Sequence, residues 1–277
     1  MLGNIIYQSN PLLICLVLMG VLMLAVEIGF WAKKAGGKSS PDGAEKGDIA
    51  FLFAGVMTLL ALLLGFTYSM SAGRFEQRRQ LVIEEANAIG TTYLRAKTLP
   101  EPRSSEIQEL LRQYTALRVE IGSTRAPGPE KIREWDNRAK QLHGMLWSPA
   151  AALAKEGPSP IVSIFLVTLN EMIDLHAKRL AAFRNRVPFS IYLVLFIVST
   201  TLLWLVGSYF GSQRRRMRLL TTALALLVAA VMWLILDLDQ PVQGAIKTSQ
   251  QSIIELHRDL SQTTGDSTTE SHPAGEY

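Results

Sequence analysis

The sequence predicts an all-α membrane protein with four transmembrane helices and a long helical extramembrane insert between spans two and three. Three observations carry this. Four apolar runs reach the roughly 20 residues that a helix rising 1.5 Å per residue needs to cross a 30 Å hydrocarbon core. The polar stretch between the second and third runs repeats its apolar residues at steps of three and four, with almost no strand-like alternation. Charged residues make up only 19% of the chain against 48% hydrophobic, below the roughly one quarter usual in a soluble domain.

The first run, residues 11–31, is apolar except for Glu27 near its end, and Lys33 and Lys34 follow directly. No Lys or Arg precedes it, so it lacks the basic region that opens a secretory signal and is expected to be a retained span. Glu27 is costly against lipid, so it belongs near the interface or turned toward a partner. Gly, Ser and charge dominate 35–48, which predicts a flexible loop. The second span, 49–70, has no charge between Asp48 and Arg74. Spans three (189–210) and four (219–236) are joined only by GSQRRRMR, so they form a tight antiparallel hairpin. Trp31, Trp204 and Trp233 fall near span ends, where indole rings favour the interface.

The insert reads as helices. Residues 74–97 continue span two with no proline until Pro100 and Pro102. In 103–121, Ile107, Leu110, Leu111, Tyr114 and Leu117 form an amphipathic stripe. A third helix covers 130–147 and is expected to stop at Pro149 and the Gly157–Pro160 break. A fourth runs from 161 to about 186 before Pro188 opens span three. The adjacent Glu84 and Glu85 cannot share a helix face, so one is expected to pair with a basic residue of a neighbouring helix. The predicted organisation is therefore 11–70 (spans one and two with their loop), 72–187 (helical insert), 189–236 (transmembrane hairpin), 237–262 (a post-membrane helical segment) and 263–277, a Ser/Thr/Gly-rich disordered tail.

Several function classes find no support. The single cysteine, Cys15, forms no intrachain disulfide or zinc cluster. Neither a phosphate-binding glycine loop nor a nucleophile elbow nor a His pair at ligand spacing occurs. An enzyme is thus the least supported reading. The excess of 28 basic over 24 acidic residues needs no nucleic acid; Lys and Arg beside spans meet anionic lipid headgroups of the bilayer. The four histidines (His143, His176, His257, His272) are scattered. Glu171, Asp174 and His176 are open to a metal reading, but only the first two share a face, as solvated charges of an amphipathic helix would.

Span two holds the candidate site. Gly55, Thr58, Leu62, Gly65 and Ser69 recur at steps of three and four and lie along one helix face. Two readings fit: a close-packing seam of small residues, or a pore lining with Leu62 as an apolar constriction. Arg74 and Arg78, one turn apart, suit an anion-concentrating vestibule or contacts with lipid phosphate and Glu76. Asp237 and Asp239 either contribute oxygens to a calcium ion or merely end span four before Pro241. Charge counting sets the short connectors (Lys33, Lys34, Lys38, Lys46; Arg214, Arg215, Arg216, Arg218) on the cytoplasmic side, nearly balanced by the basic flanks of the insert.

Two segments, LLGFTYSMSAGRFEQRRQLVIEEANAIGTTYLRA (63–96) and ILDLDQPVQGAIKTSQQSIIEL (235–256), resemble the hallmark stretches of the bacterial bestrophin-like membrane proteins. The resemblance covers essentially the whole chain and implies the bacterial inner membrane as location. By analogy with true bestrophins, it implies a pentameric anion channel with the second span lining the pore and a calcium clasp after the fourth. The neck would then be furnished by Leu62 and, beside that face, Phe66. Bestrophin necks carry a row of bulky apolar residues, their clasps a longer acidic cluster, and their insert is cytoplasmic; this sequence departs from the first two and its charge count leans against the third. The expectation is a homo-oligomeric, anion-selective ion channel needing no cofactor, with calcium at Asp237 and Asp239 left open. The alternative is a non-conducting scaffold or envelope sensor that binds a partner through its helical stalk.

Overall fold

The computed structural model describes residues 11–35, 43–124, 127–213, 216–240 and 244–266. They are helical almost throughout, with no strand among the described residues. In chain order the helices are α1 (Pro11–Ala35), α2 (Gly43–Ala96), α3 (Arg103–Ser123), α4 (Pro129–Lys155), α5 (Pro160–Arg184), α6 (Phe189–Ser212), α7 (Arg218–Asp239) and α8 (Gln251–Asp266). The four segments holding the apolar runs are long and apolar enough to cross a membrane by length and composition.

The chain divides into two compact units, the first formed by residues up to Phe75 with Asn185–Ile246, the second by Glu76–Arg184 with the chain from Lys247. The first is the membrane unit. Its core is built from Leu22 and Val26 of α1, Leu60 and Leu64 of α2, Leu195 and Leu203 of α6 and Ala225 and Ala229 of α7. Where α1 meets α6 the backbones nearly touch. A methyl group added at Gly207 would strike the Val26 carbonyl, at Gly211 the Phe30 carbonyl, and at Gly29 the Trp204 carbonyl. The Gly207–Gly211 spacing is the small-xxx-small pattern that lets membrane helices approach closely. The seam of small residues is therefore between spans one and three. Glu27 sits 3.9 Å from Arg216, whose guanidinium lies over the rings of Phe30 and Trp31, so the carboxylate near the end of span one has a partner.

The second, helical unit packs α3, α4, α5 and α8 with residues 76–96 of α2. Its core includes Ile89, Tyr93, Ile107, Leu111, Leu146, Phe165, Leu169 and Met172. The predicted stripe of α3 is buried as expected. The post-membrane helix docks through Ile253 and Leu260, and Arg112 ties it down by donating to the Leu260 carbonyl at 3.3 Å.

Three boundaries differ from the sequence expectation. Helix α2 begins at Gly43, inside the stretch read as loop; residues 36–42 lie outside the described residues. Helix α4 runs through Pro149 to Lys155. A proline in a helix interior costs about 3 kcal/mol, but the following alanines are strong helix formers, and burying Leu153 returns about 2 kcal/mol of that. Helix α8 continues to Asp266, past the expected start of the tail. Residues 267–277, and Arg214 and Arg215 of the hairpin connector, lie outside the described residues.

Candidate functional site

At 100° per residue, Gly55, Thr58, Leu62, Gly65, Phe66 and Ser69 fall within one outward side of α2. Each is exposed, Leu62 by 53% and Phe66 by 66%. Leu60, Leu64, Thr67 and Ser71 occupy the opposite side and are buried. A methyl group added at Gly55 or Gly65 would meet nothing within 4 Å. Among the described residues no span of the same chain covers this strip. Its chemistry differs from the other exposed membrane faces. Those of α1, α6 and α7 are mainly large aliphatics such as Leu16, Val17, Leu24, Ile197, Leu226 and Leu227, which is what lipid tails accept, with scattered small or hydroxyl-bearing residues such as Gly20 and Thr201. The α2 strip interrupts its apolar residues with two glycines, a threonine and a serine. The Thr58 hydroxyl donates to the Ala54 carbonyl at 2.7 Å, leaving its oxygen lone pairs facing outward.

Arg74 and Arg78 lie elsewhere. Arg74 follows Thr58 by 16 positions, about 160° around the helix axis. Its guanidinium is 3.9 Å from the fully buried Asp239. Arg78 is buried within the helical unit, with 8% of its surface exposed. Arg74 is thus off the strip, and Arg78 is buried in its own unit. The remaining candidate, Glu76, is engaged by Arg79 through two hydrogen bonds of 2.8 and 2.6 Å.

The two aspartates after span four fasten backbone. Asp239 accepts from the Val187 amide at 3.0 and 3.1 Å and from the Tyr192 hydroxyl at 3.3 Å, joining the end of α7 to the start of α6. Asp237 points to the other side of the helix and accepts from the amides of Ala245 and Ile246 at 2.7 and 2.9 Å. Gly244 passes so close that an added methyl would meet the Asp237 carbonyl. A calcium ion needs 6 to 8 oxygens converging on one point. Here the carboxylates diverge, and each already accepts from backbone amides. Among the described residues no group of three or more His, Cys, Asp or Glu comes together to hold a metal. Asp237 and Asp239 therefore do not converge on one point among the described residues. Nor do Glu171, Asp174 and His176, since His176 turns to Asp136 instead.

Of the adjacent carboxylates, Glu85 pairs with basic residues of neighbouring helices as expected, but its full burial and the part played by Tyr114 were not read from the sequence. Glu85, with no exposed surface, accepts from the Tyr114 hydroxyl at 2.7 Å. Its other oxygen takes Arg118 Nε at 3.0 Å and a contact from Arg179 Nη1. Arg179 also donates to Gln250 at 3.3 Å. Burial pushes the Glu85 carboxyl up, but the charges of Arg118 and Arg179 and the hydrogen bonds of Tyr114 and Arg179 outweigh it and hold the group at about 2. Burial and the Glu85 charge push the Tyr114 phenol well above its usual range. Beside this centre, His143 lies between Tyr114 and His176, with ring centroids 5.0 and 5.1 Å apart. His176 Nε2 is 3.3 Å from Asp136, whose other oxygen accepts from Lys140 at 2.8 Å. The signal was present in the spacing: Glu85 falls between Leu81 and Ile89, and Arg118 one turn after Tyr114, so both occupy core positions of amphipathic stripes.

Four apolar helices and an all-helical insert define the class: a polytopic helical membrane protein. More narrowly, the chain belongs to the bestrophin-like family, whose domain model matches residues 20–253. No curated protein sequence matches it. Among solved structures it is similar to a point mutant of a bacterial bestrophin homolog from Klebsiella pneumoniae, with 16% identity and a TM-score of 0.64 over 93% of this chain and 100% of that one. A second point mutant of the same homolog gives 17% identity and 0.63 over 91% and 97%. A mutant structure described only as a membrane protein gives 17% and 0.66 over 94% and 98%. These likenesses establish the shared fold.

Proposed function

We propose that several copies of this chain, five by analogy with bestrophins, surround a common axis in the bacterial inner membrane and conduct ions along it. The outward strip of α2 lines the path, with Leu62 and Phe66 as its apolar constriction. One observation carries the reading. Among the described residues the strip is uncovered by its own chain and is broken by Gly55, Thr58, Gly65 and Ser69 along one face, whereas the exposed faces of α1, α6 and α7 hold mainly large aliphatics with more scattered breaks such as Gly20 and Thr201. Small and hydroxyl-bearing residues suit a water-accessible surface or contact with another copy better than lipid tails. Family membership supports a bestrophin-type channel. The anion preference in this proposal rests on the family resemblance, because Arg74 and Arg78 face inward. The test is flux through liposomes carrying the purified oligomer, with chloride replaced by gluconate: chloride-dependent flux supports the proposal, and no flux from a closed ring refutes conduction.

A scaffold role has one observation in its favour. Leu94, Ile161, Ile164 and Val167 of the helical unit are exposed by 51% or more, a surface suited to another protein. Ring assembly with an open axis favours conduction; a monomer or twofold dimer favours the scaffold.

A further inference from the structure

We propose that the stacked imidazoles of His143 and His176 form an acid-responsive device in the helical unit, their protonation loosening the packing of α3, α4 and α5 around them. The inference does not depend on the conduction proposal. Both side chains are buried, each with 8% of its surface exposed. Each has one ring nitrogen, His143 Nε2 and His176 Nδ1, that is buried without a hydrogen-bond partner. A neutral imidazole tolerates this, because one nitrogen is an acceptor that can go unused; an imidazolium has two donors and must place both.

The two unpartnered nitrogens meet no acceptor, and the nearby carboxylates, Glu85 and Asp136, are already engaged by other donors. From α2, Glu85 has both oxygens engaged by Tyr114, Arg118 and Arg179. From α3 come Tyr114 and Arg118, from α5 Arg179, and from α4 Asp136, already shared by His176 and Lys140. Two guanidiniums against the single Glu85 carboxylate leave this centre positive before either histidine is charged. Burial, reinforced by the neighbouring His176, lowers His143 from 6.5 to about 4. Burial and the Arg118 charge lower His176 as well, with Asp136 opposing them. An opened unit takes up protons that the packed unit refuses. The packed state is therefore fully favoured above about pH 6.5 and loses ground as the pH falls toward 4.

The test is hydrogen–deuterium exchange on the full-length protein in lipid nanodiscs at pH 7.5 and 5.0, corrected for intrinsic exchange. For His143 alone, the opening equilibrium should rise roughly thirtyfold at pH 5.0. The loss of protection should be confined to α3, α4 and α5, with α1, α6 and α7 unchanged. His143→Phe keeps a ring against Tyr114 and cannot titrate, and His143→Gln keeps a polar neutral group; either should remove most of the rise, and adding His176→Asn should remove the rest. Unchanged wild-type protection overturns the proposal, as does a loss spread evenly over both units or an undiminished rise in a folded variant. Should the variants fail to fold, the wild-type comparison decides by the size and location of its change.

Discussion

Replacing Glu85 by glutamine should be among the most destabilising conservative changes in the helical unit. The wild-type carboxylate is fully buried and neutralises one of two guanidiniums, Arg118 and Arg179, that are themselves largely withdrawn from water. Its folded-state value of about 2 against 4.5 for the free group corresponds to about 3 kcal/mol of stabilisation at neutral pH. Breaking a buried pair by removing one partner costs a similar 3–5 kcal/mol or so, since the remaining charge stays buried. Because folding lowers this pKa, the contribution is present above about pH 4.5 and is lost as the pH falls toward 2. At pH 7, Glu85→Gln should raise the opening equilibrium measured by amide exchange across residues 110–118 by roughly a hundredfold. The exposed neighbour Glu84→Gln should leave it unchanged. Less than about a threefold change for Glu85→Gln would show that the two arginines do not depend on this carboxylate, and the buried centre would not be the stabilising group described above.

Other expectations follow from the membrane unit. Gly207→Ala drives a methyl into the Val26 backbone and should cost about 2 kcal/mol or more, read as a lower melting temperature of the purified protein; Gly55→Ala, with nothing within 4 Å of the added methyl, should leave it unchanged or slightly raised. Asp237→Ala strands the amides of Ala245 and Ile246 and should cost about 1–3 kcal/mol, seen as faster limited proteolysis just beyond α7. Tyr192→Phe removes one hydrogen bond to Asp239 and should cost about 1 kcal/mol in the same thermal assay. If Asp237 or Asp239 held calcium, chelation would shift the melting temperature; the diverging carboxylates predict no shift.

Hydropathy and helical spacing made the architecture legible. Runs of the right length gave the four spans, and proline and glycine placed the ends of α2, α3 and α5 to within a few residues. Pro149 misled because its cost is local, whereas the compensation comes from tertiary burial of Ala150 and Leu153, which spacing alone does not reveal. On α2, periodicity grouped Thr58, Leu62 and Ser69 correctly but left open whether that group or its opposite met the core. The same periodicity already set Arg74 about 160° from Thr58, so the inward turn of the arginine was readable once the outward face was known. His143 and His176 stand on different helices, and nothing in their local sequence announces the pairing. Their contact is a product of how α4 and α5 pack.

The central claim is that the Thr58 strip faces water. It is tested most directly by introducing Thr58→Cys into a Cys15→Ala background and treating the reconstituted protein with a membrane-impermeant, anionic thiol reagent, which an anion-preferring path admits. Rapid modification at position 58 with loss of flux is expected, together with protection of a control cysteine placed at the outward-facing Leu226. Position 58 remaining as unreactive as position 226, with flux intact, would contradict it.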